Sequence, residues 1–256
     1  MLTRALLIVV WASVAGAFAA APAAHPAHGS PHWTYEGAEG PAHWGDLDPS
    51  FATCAHGHVQ SPIDIPAASI TTEHLDPIRF DYKAAPLHLT DNGHTVMIAF
   101  PPGGTIRIGS ADYELQQIHF HRPSEEMIDG KSFAMVAHLV HKKKDGGLAV
   151  VAVLFEEGAE NPALAGVFAH LPAGPGKKAA PAGATLDPAA LLPASRSYFT
   201  FAGSLTTPPC TEGVTWFVLR TPVTASAEQI AAFARHYPHN ARPVQPVGGR
   251  PIHASD

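Results

Sequence analysis

The segment MVAHLVHKKKDGGLAVVAVLFEEG, residues 135–158, contains two apolar stretches separated by a short polar one. Residues 134–141 and 148–155 are rich in Val, Leu and Ala, and Lys142, Lys143 and Lys144 lead into an Asp-Gly-Gly sequence. Short apolar runs on either side of an Asp-Gly turn are typical of a β-hairpin. We therefore predict two apolar strands joined by a solvated turn.

Strand-like segments also dominate the rest of the chain, at residues 87–89, 95–100, 105–108, 114–121 and 214–219. Helix signals are sparse: Asn161 and Ser226 begin two short segments with capping residues, which run to Phe168 and His236. Residues 171–185, rich in Pro, Gly, Ala and Lys, are predicted to form a surface loop. The pattern predicts a mainly β domain with short peripheral helices.

The composition is that of a globular protein. The 256 residues are 46% hydrophobic and 15% charged, which is enough to bury a large core in one domain. The formal net charge is -6 and the Lys and Arg residues are scattered. The sequence contains no cluster of basic residues that could bind a phosphate backbone, so nucleic acid is not an expected partner.

The first residues have the layout of a secretory signal peptide. An Arg at position 4 precedes an apolar run that closes in small residues, so residues 1–21 are expected to be a signal peptide that is removed on export to the periplasm or medium. An uncleaved anchor is the alternative, but the run is short for a membrane span, and after cleavage no stable span is expected. Residues 22–32 form a flexible Pro/Ala/His-rich tail, and residues 33–256 form the folded domain.

Only two cysteines occur, Cys54 and Cys210. An even count in an exported chain favours one disulfide over two separate buried thiols. Without CxxC spacing these cysteines cannot form a thiolate zinc site, so any zinc must be bound by histidine.

Histidine is abundant, and three copies could form a metal site. In QQIHFHRPSEE, residues 116–126, His119 and His121 alternate with Phe120 and share one face of a strand. His138 lies in the first apolar strand of the hairpin, where an unpaired imidazole would be costly to bury. If the two strands are antiparallel neighbours, three imidazoles converge and leave a fourth position open, as in catalytic zinc sites. His141 faces the other side, and ordinary core packing remains the alternative for each histidine alone.

Five motifs in this order resemble the α-class carbonic anhydrases of bacteria. They are HWGDLDPSFATCAHGHVQSPIDI from His43, DNGHTVMI from Asp91, the two histidine strands, GSLTTPPCTEGVTW from Gly203 and NARPVQPVGGR from Asn240. The resemblance covers residues 33–250. It implies an α+β fold with a central, largely antiparallel twisted β-sheet, a Zn²⁺ cofactor, and reversible hydration of carbon dioxide to bicarbonate and a proton by zinc-bound hydroxide.

The resemblance also implies roles for individual residues. The zinc ligands would be His119, His121 and His138. The Thr206 hydroxyl would hydrogen-bond to Glu125, Thr207 would position bicarbonate, and His94 would shuttle protons, with water ordered by Tyr35 and Asn92. An apolar substrate pocket would be formed by Val140, Val150, Leu205, Val214 and Trp216.

Other implied contacts support the ligands. Gln117 would be the hydrogen-bond partner of His119, and the main chain of Asn240 that of His121. Cys54 and Cys210 match the disulfide pair of exported relatives. Two positions depart from the family pattern. Val136 stands where a Glu often precedes the third ligand, so we expect a backbone carbonyl or water to accept the His138 N–H. Met97 replaces a polar cavity residue, for which we expect a modest effect.

Three alternatives to the leading interpretation remain. A zinc-dependent esterase is expected only as a side activity, since the same nucleophile could attack activated esters. A non-catalytic zinc-binding module is disfavoured because all three histidines are present. A zinc scavenger would use His25, His28 and His32 of the tail. The partners expected are carbon dioxide and bicarbonate, with a homodimer left open.

Overall fold

The computed structural model describes residues 31–256. The strands are β1 (Asp64–Ile65), β2 (Thr72–Glu73), β3 (Arg79–Asp81), β4 (Ala85–Pro86), β5 (Leu89–Asp91), β6 (Val96–Ala99), β7 (Thr105–Ile108), β8 (Ala111–His121), β9 (Met127–Ile128), β10 (Met135–Lys142), β11 (Leu148–Glu157), β12 (Lys178–Ala179), β13 (Thr185–Leu186), β14 (Tyr198–Ser204), β15 (Glu212–Leu219), β16 (Val223–Ala225) and β17 (His253–Ser255). The α-helices are α1 (Trp44–Leu47), α2 (Thr53–His56), α3 (Pro162–Phe168) and α4 (Ala227–Ala234). Short 3-10 helices lie at Gly37–Glu39, Pro49–Phe51, Ala67–Ser69 and Pro188–Leu191.

One large sheet organises the domain. Its strand order is β12-β5-β6-β8-β10-β11-β15-β14-β17-β2, with β7 and β3 attached beside β8 and with β16 attached to β11. Most neighbours are antiparallel, and the parallel pairs are β11 with β15, β11 with β16, and β17 with β2. The predicted mainly β fold with a largely antiparallel sheet is confirmed.

The hairpin of β10 and β11 lies at the centre of this sheet. Its register runs from Met135 opposite Phe155 to Lys142 opposite Leu148, as the turn signal predicted. Both strands are covered on both faces, which explains why their sequences are almost continuously apolar rather than alternating. β10 therefore provides a rigid support for any side chain that it presents.

The two faces of the sheet pack into different hydrophobic clusters. Leu139 and Val151 belong to the larger one, while Val136 and Trp216 belong to the second. Because side chains alternate along β10, His138 lies on the same face as Val136. The second cluster is therefore the apolar neighbour of the histidines.

The two predicted helices are present with their caps. The Asn161 side chain accepts a hydrogen bond from the Ala163 amide at the start of α3. Ser226 and Gln229 form a reciprocal capping box at the start of α4.

Some predicted boundaries were wrong. Leu87 lies between β4 and β5 rather than in a strand of residues 87–89, because its amide bonds to Ala184 outside the sheet's main ladder. The predicted loop at residues 171–185 contains β12, which pairs with β5. β14 lies outside the predicted strands, although it pairs along its whole length with β15.

The expected signal peptide, residues 1–21, lies outside the described residues, as does nearly all of the expected tail at residues 22–32. Within residues 31–256, the helices are all too short or too polar to cross a bilayer.

Candidate active site

Three histidines converge on one point of the central sheet. β8 carries His119 and His121, and β10 carries His138 directly opposite His119 in the antiparallel register. One ring nitrogen from each histidine lies within 4.8 Å of the other two. His121 and His138 are buried, while His119 is partly exposed at a cavity wall. The predicted pairing of these strands is confirmed, and His141 is not in the cluster.

Hydrogen bonds decide which nitrogen each ring presents to that point. His119 Nδ1 bonds to Gln117 Oε1 at 2.9 Å, and His121 Nδ1 bonds to the main-chain oxygen of Asn240 at 2.7 Å. The Nε2 atom of His121 is buried and has no hydrogen-bond partner within residues 31–256. A buried, unpaired imidazole nitrogen is costly unless it has a ligand to bind. These nitrogens therefore fit a cation.

The third histidine has a carboxylate partner. His138 Nε2 lies 3.1 Å from Glu126 Oε2, so its Nδ1 is the atom turned toward the other two rings. The expectation that a backbone carbonyl or water would accept this N–H is wrong, because Glu126 reaches the ring from the irregular segment between β8 and β9. Val136 lies in the second apolar cluster instead.

Burial controls the charge of the cluster. It lowers the pKa values of His119 and His121 well below the usual range, and His138 reinforces this. For His138, burial also acts to lower the pKa, but the carboxylates of Glu126 and Glu125 outweigh it and the pKa is raised. Neutral imidazole is the form that binds metal, so the first two rings are ready to act as ligands.

A second fully buried carboxylate, Glu125, lies beside the rings. Its Oε1 accepts the Arg242 amide at 2.8 Å, and its side chain accepts a hydrogen bond from Thr206. Its Oε2 lies 3.4 Å from His121 Nε2. Burial raises its pKa to about 7, against the opposing attraction of His138. Thr206 therefore lies close enough to Glu125, beside the histidine cluster, to lower the pKa of its carboxyl.

A cavity of about 120 Å³ opens onto the cluster. The predicted residues that line it are Tyr35, Asn92, His94, Met97, Gln117, His119, His121 and Thr207. Trp33 and Thr95 also line it and were not predicted. The structure therefore brings together residues that are far apart in the chain.

The ring of His94 stacks on Trp33 in this cavity, with centroids 3.5 Å apart and planes inclined by 6°. Burial lowers the pKa of His94, and His32 lowers it further. Asn92 Oδ1 accepts the amides of His94 and Thr95, each at 2.9 Å, and so shapes the turn that carries His94. The Tyr35 hydroxyl is buried and has no hydrogen-bond partner among the described residues.

The five predicted pocket residues form one apolar group. Val150, Val214 and Trp216 are buried in the second cluster, with Val140 and Leu205 packed against it. Trp216 contacts the His138 ring edge-on at 4.9 Å between centroids. The cavity lining does not include these five residues, so the structure places them next to His138 rather than along the cavity that contains His94.

The predicted disulfide between Cys54 and Cys210 is present. The Cys210 amide donates to the Thr207 carbonyl at 2.8 Å, which ties the bridge to the loop that carries Thr206. Arg242, which was not predicted, is buried and donates to the carbonyls of Cys54 at 3.0 Å and Ser61 at 2.7 Å. This arginine joins the disulfide region to Glu125 through its own amide.

The three-imidazole cluster on the central sheet fits the ligand set of a catalytic zinc site. Residues 39–256 match the family model for eukaryotic-type carbonic anhydrases. The carbonic anhydrase of Pectobacterium carotovorum is 46% identical over 224 residues, covering 87% of this chain and 91% of the relative. That of a Nostoc strain is 41% identical over 251 residues, covering 96% and 95%.

A solved structure agrees with the sequence relatives. The α-carbonic anhydrase of Thermovibrio ammonificans, in complex with the inhibitor sulfanilamide, superposes with a TM-score of 0.85 at 41% identity, covering 88% of this chain and all of that one. The chain belongs to the eukaryotic-type, or α, carbonic anhydrase family. It is a zinc-dependent lyase that hydrates carbon dioxide.

Proposed function

We propose that His119, His121 and His138 hold the zinc ion at which carbon dioxide is hydrated. The observation that supports this most is the set of three ring nitrogens within 4.8 Å of one another, together with a buried His121 Nε2 that has no hydrogen-bond partner in the described part of the chain. When bound there, zinc supplies a water-derived nucleophile at neutral pH, a property for which this enzyme family is the standard example.

Thr206 and Glu125 orient that nucleophile. Glu125 accepts the Thr206 hydroxyl proton in a hydrogen bond, so the threonine oxygen is left to accept a hydrogen bond from the site. With zinc bound by the three histidines, this pair would orient the nucleophile that the metal supplies. Thr207, in the cavity lining, then binds the bicarbonate product.

Carbon dioxide is apolar, and its binding surface is the group Val140, Val150, Leu205, Val214 and Trp216. The edge-on contact between Trp216 and His138, and the packing of the other four residues in the same apolar cluster, support this assignment.

His94 carries the released proton to buffer. It lies in the same cavity as His119 and His121, and a histidine ring takes up and releases protons near neutral pH. The Tyr35 hydroxyl, which has no hydrogen-bond partner among the residues that the structure describes, and Asn92 order the water between the zinc site and His94.

The same proposal extends to the whole chain. Residues 1–21 direct export, residues 22–32 are a Pro/Ala/His-rich segment that precedes the enzyme, and residues 33–256 are the catalytic domain, acting in the periplasm or outside the cell. The disulfide supports this location, because such bonds persist in oxidising compartments. A homodimer is the proposed assembly to test by light scattering.

The test combines metal analysis with a carbon dioxide hydration assay on the purified protein. We expect one zinc per wild-type chain, loss of both zinc and hydration in His119→Ala, and no change in His88→Ala, which alters an exposed histidine. A wild-type protein without stoichiometric zinc, or a fully active His119→Ala protein, would disprove the proposal. Removing residues 22–32 should leave zinc binding intact.

A further inference from the structure

Glu126 is a fully buried carboxylate with one charged partner. Its relative exposure is 0%, and both of its oxygens lie 3.1 Å from His138 Nε2. Only Oε2 has hydrogen-bond geometry, and Oε1 is buried without another partner in residues 31–256. Within residues 31–256, the imidazole of His138 is therefore the polar group with which this carboxylate interacts.

Such a residue is unfavourable for the fold alone. A buried carboxylate loses its hydration, and replacing a whole buried ion pair by apolar groups of similar size often stabilises a protein. Glu125 adds to the cost, since the two adjacent carboxylates repel each other. A purely structural role would be filled better by an apolar side chain.

β10 itself provides no side-chain acceptor for the Nε2–H of His138. Val136, two residues earlier on β10, faces the same side as His138 and lies opposite His121 in the register. Its side chain is apolar and packs in the second cluster. Glu126 reaches the ring from outside the strand, through the bend that follows β8.

We propose that Glu126 is a positioning residue for the third metal ligand. Its carboxylate accepts the Nε2–H of His138, fixes the tautomer, and holds Nδ1 toward the point where His119 and His121 converge. A carboxylate in this position also makes the imidazole a stronger electron donor to the metal. The inference rests on the proposed zinc site and adds one residue to it.

The proposal predicts different effects of a Glu126 substitution on zinc affinity and on the stability of the metal-free protein. Glu126→Gln should weaken zinc binding by about 10- to 100-fold, the usual cost of losing such a partner. The metal-free form should unfold at an unchanged or higher urea concentration, because a buried charge has been removed. A residue with only a structural role would change the two quantities together.

The experiment measures the zinc dissociation constant by competition with a chelator, and the urea midpoint of the metal-free protein. The proteins are wild type, Glu126→Gln, Glu126→Leu, and the control Glu157→Gln, which alters an exposed carboxylate at the end of β11. Glu126→Leu fills the same space without a polar group, so it provides a second variant if Glu126→Gln folds poorly. We expect both Glu126 variants to lose affinity and the control to match wild type.

Three outcomes would overturn the inference. Zinc affinity equal to wild type in both Glu126 variants would show that the carboxylate does not act on the ligand. A fall in affinity matched by a fall in metal-free stability would make Glu126 a structural residue. Failure of the wild-type protein to bind zinc would remove the site itself, and so would be distinguishable from failure of this inference alone.

Discussion

The side-chain amide of Asn240 donates a hydrogen bond to the main-chain carbonyl of His94 over 3.0 Å. The same amide donates to the Phe120 carbonyl at 3.0 Å, and the Asn240 side-chain oxygen accepts the Arg122 amide at 2.8 Å. Its main-chain oxygen is hydrogen-bonded to Nδ1 of His121 at 2.7 Å. One residue thus couples the turn that carries His94 to the strand that carries two of the histidine ligands.

Replacing Asn240 by Ala should destabilise the protein. The change leaves the His94 carbonyl and the Arg122 amide without their partner, while the Phe120 carbonyl keeps its bond from the Thr95 hydroxyl and the main-chain bond to His121 remains. Unpaired buried groups cost about 1–3 kcal/mol each, so we expect the free energy of unfolding to fall by about 3 kcal/mol. Urea denaturation measures this, with the exposed His239→Ala as control. Equal midpoints for the two variants would contradict it.

Replacing Trp33 by Ala should raise the pKa of His94. Burial is the largest cause of the lowered pKa of this histidine, and Trp33 covers one face of its ring. Removing the indole admits water, which stabilises the protonated imidazole. An NMR titration of the His94 ring protons in both proteins measures the shift. An unchanged or lower value in the variant would show that Trp33 does not desolvate the ring.

Removing the disulfide should lower both stability and activity. Cys54 and Cys210 are 156 positions apart, and closing a loop of this length stabilises a fold by about 5 kcal/mol in the chain-entropy model. In the double variant Cys54→Ser with Cys210→Ser, we expect a lower Tm and lower kcat/KM below the Tm, because the bridge no longer anchors the loop in which the Cys210 amide bonds to the Thr207 carbonyl. Unchanged Tm and activity would refute this.

His141 should make the protein less stable in acid. It is buried, bonds to the Tyr82 hydroxyl at 2.8 Å, and burial lowers its pKa to about 3. Its ordinary pKa is about 6.5, so the unfolded chain takes up the proton first, and stability is lost as the pH falls from about 6.5 toward 3.

The corresponding measurement is urea unfolding at pH 7 and pH 5. Between these values wild type should lose about 2 kcal/mol more than His141→Gln, which cannot titrate but can still bond to Tyr82. His88→Gln, an exposed substitution, should behave as wild type. The same loss in His141→Gln would assign the acid sensitivity to other groups.

The histidine cluster could be predicted because its geometry is encoded locally. Alternation along β8 puts His119 and His121 on one face, and the position of His138 in an apolar run gives its face on β10. The hairpin turn after Lys142 then fixes the neighbour of β10 on one side. Periodicity and one turn determine which face each histidine occupies, whereas the pairing of β8 with β10 depends on contacts between distant segments.

Glu126 and Arg242 could not be predicted in this way. Consecutive residues of a strand face opposite sides, but the chain bends after β8 and turns both Glu125 and Glu126 inward. Arg242 contacts residues 181 to 188 positions earlier, and no local pattern marks it. Such contacts depend on how distant segments meet, which a single sequence does not encode in its periodicity.

The late position of Asn240 and Arg242 has a consequence for biosynthesis. A nascent chain that has left the ribosome through β11 already contains all three imidazoles, yet it lacks the carbonyl that orients His121 and the amide that holds Glu125. Assembly of the centre must therefore wait until translation has passed Arg242. Fragments that end before Asn240 would lack these two contacts, so we expect them to have an incomplete zinc site rather than reduced catalytic activity.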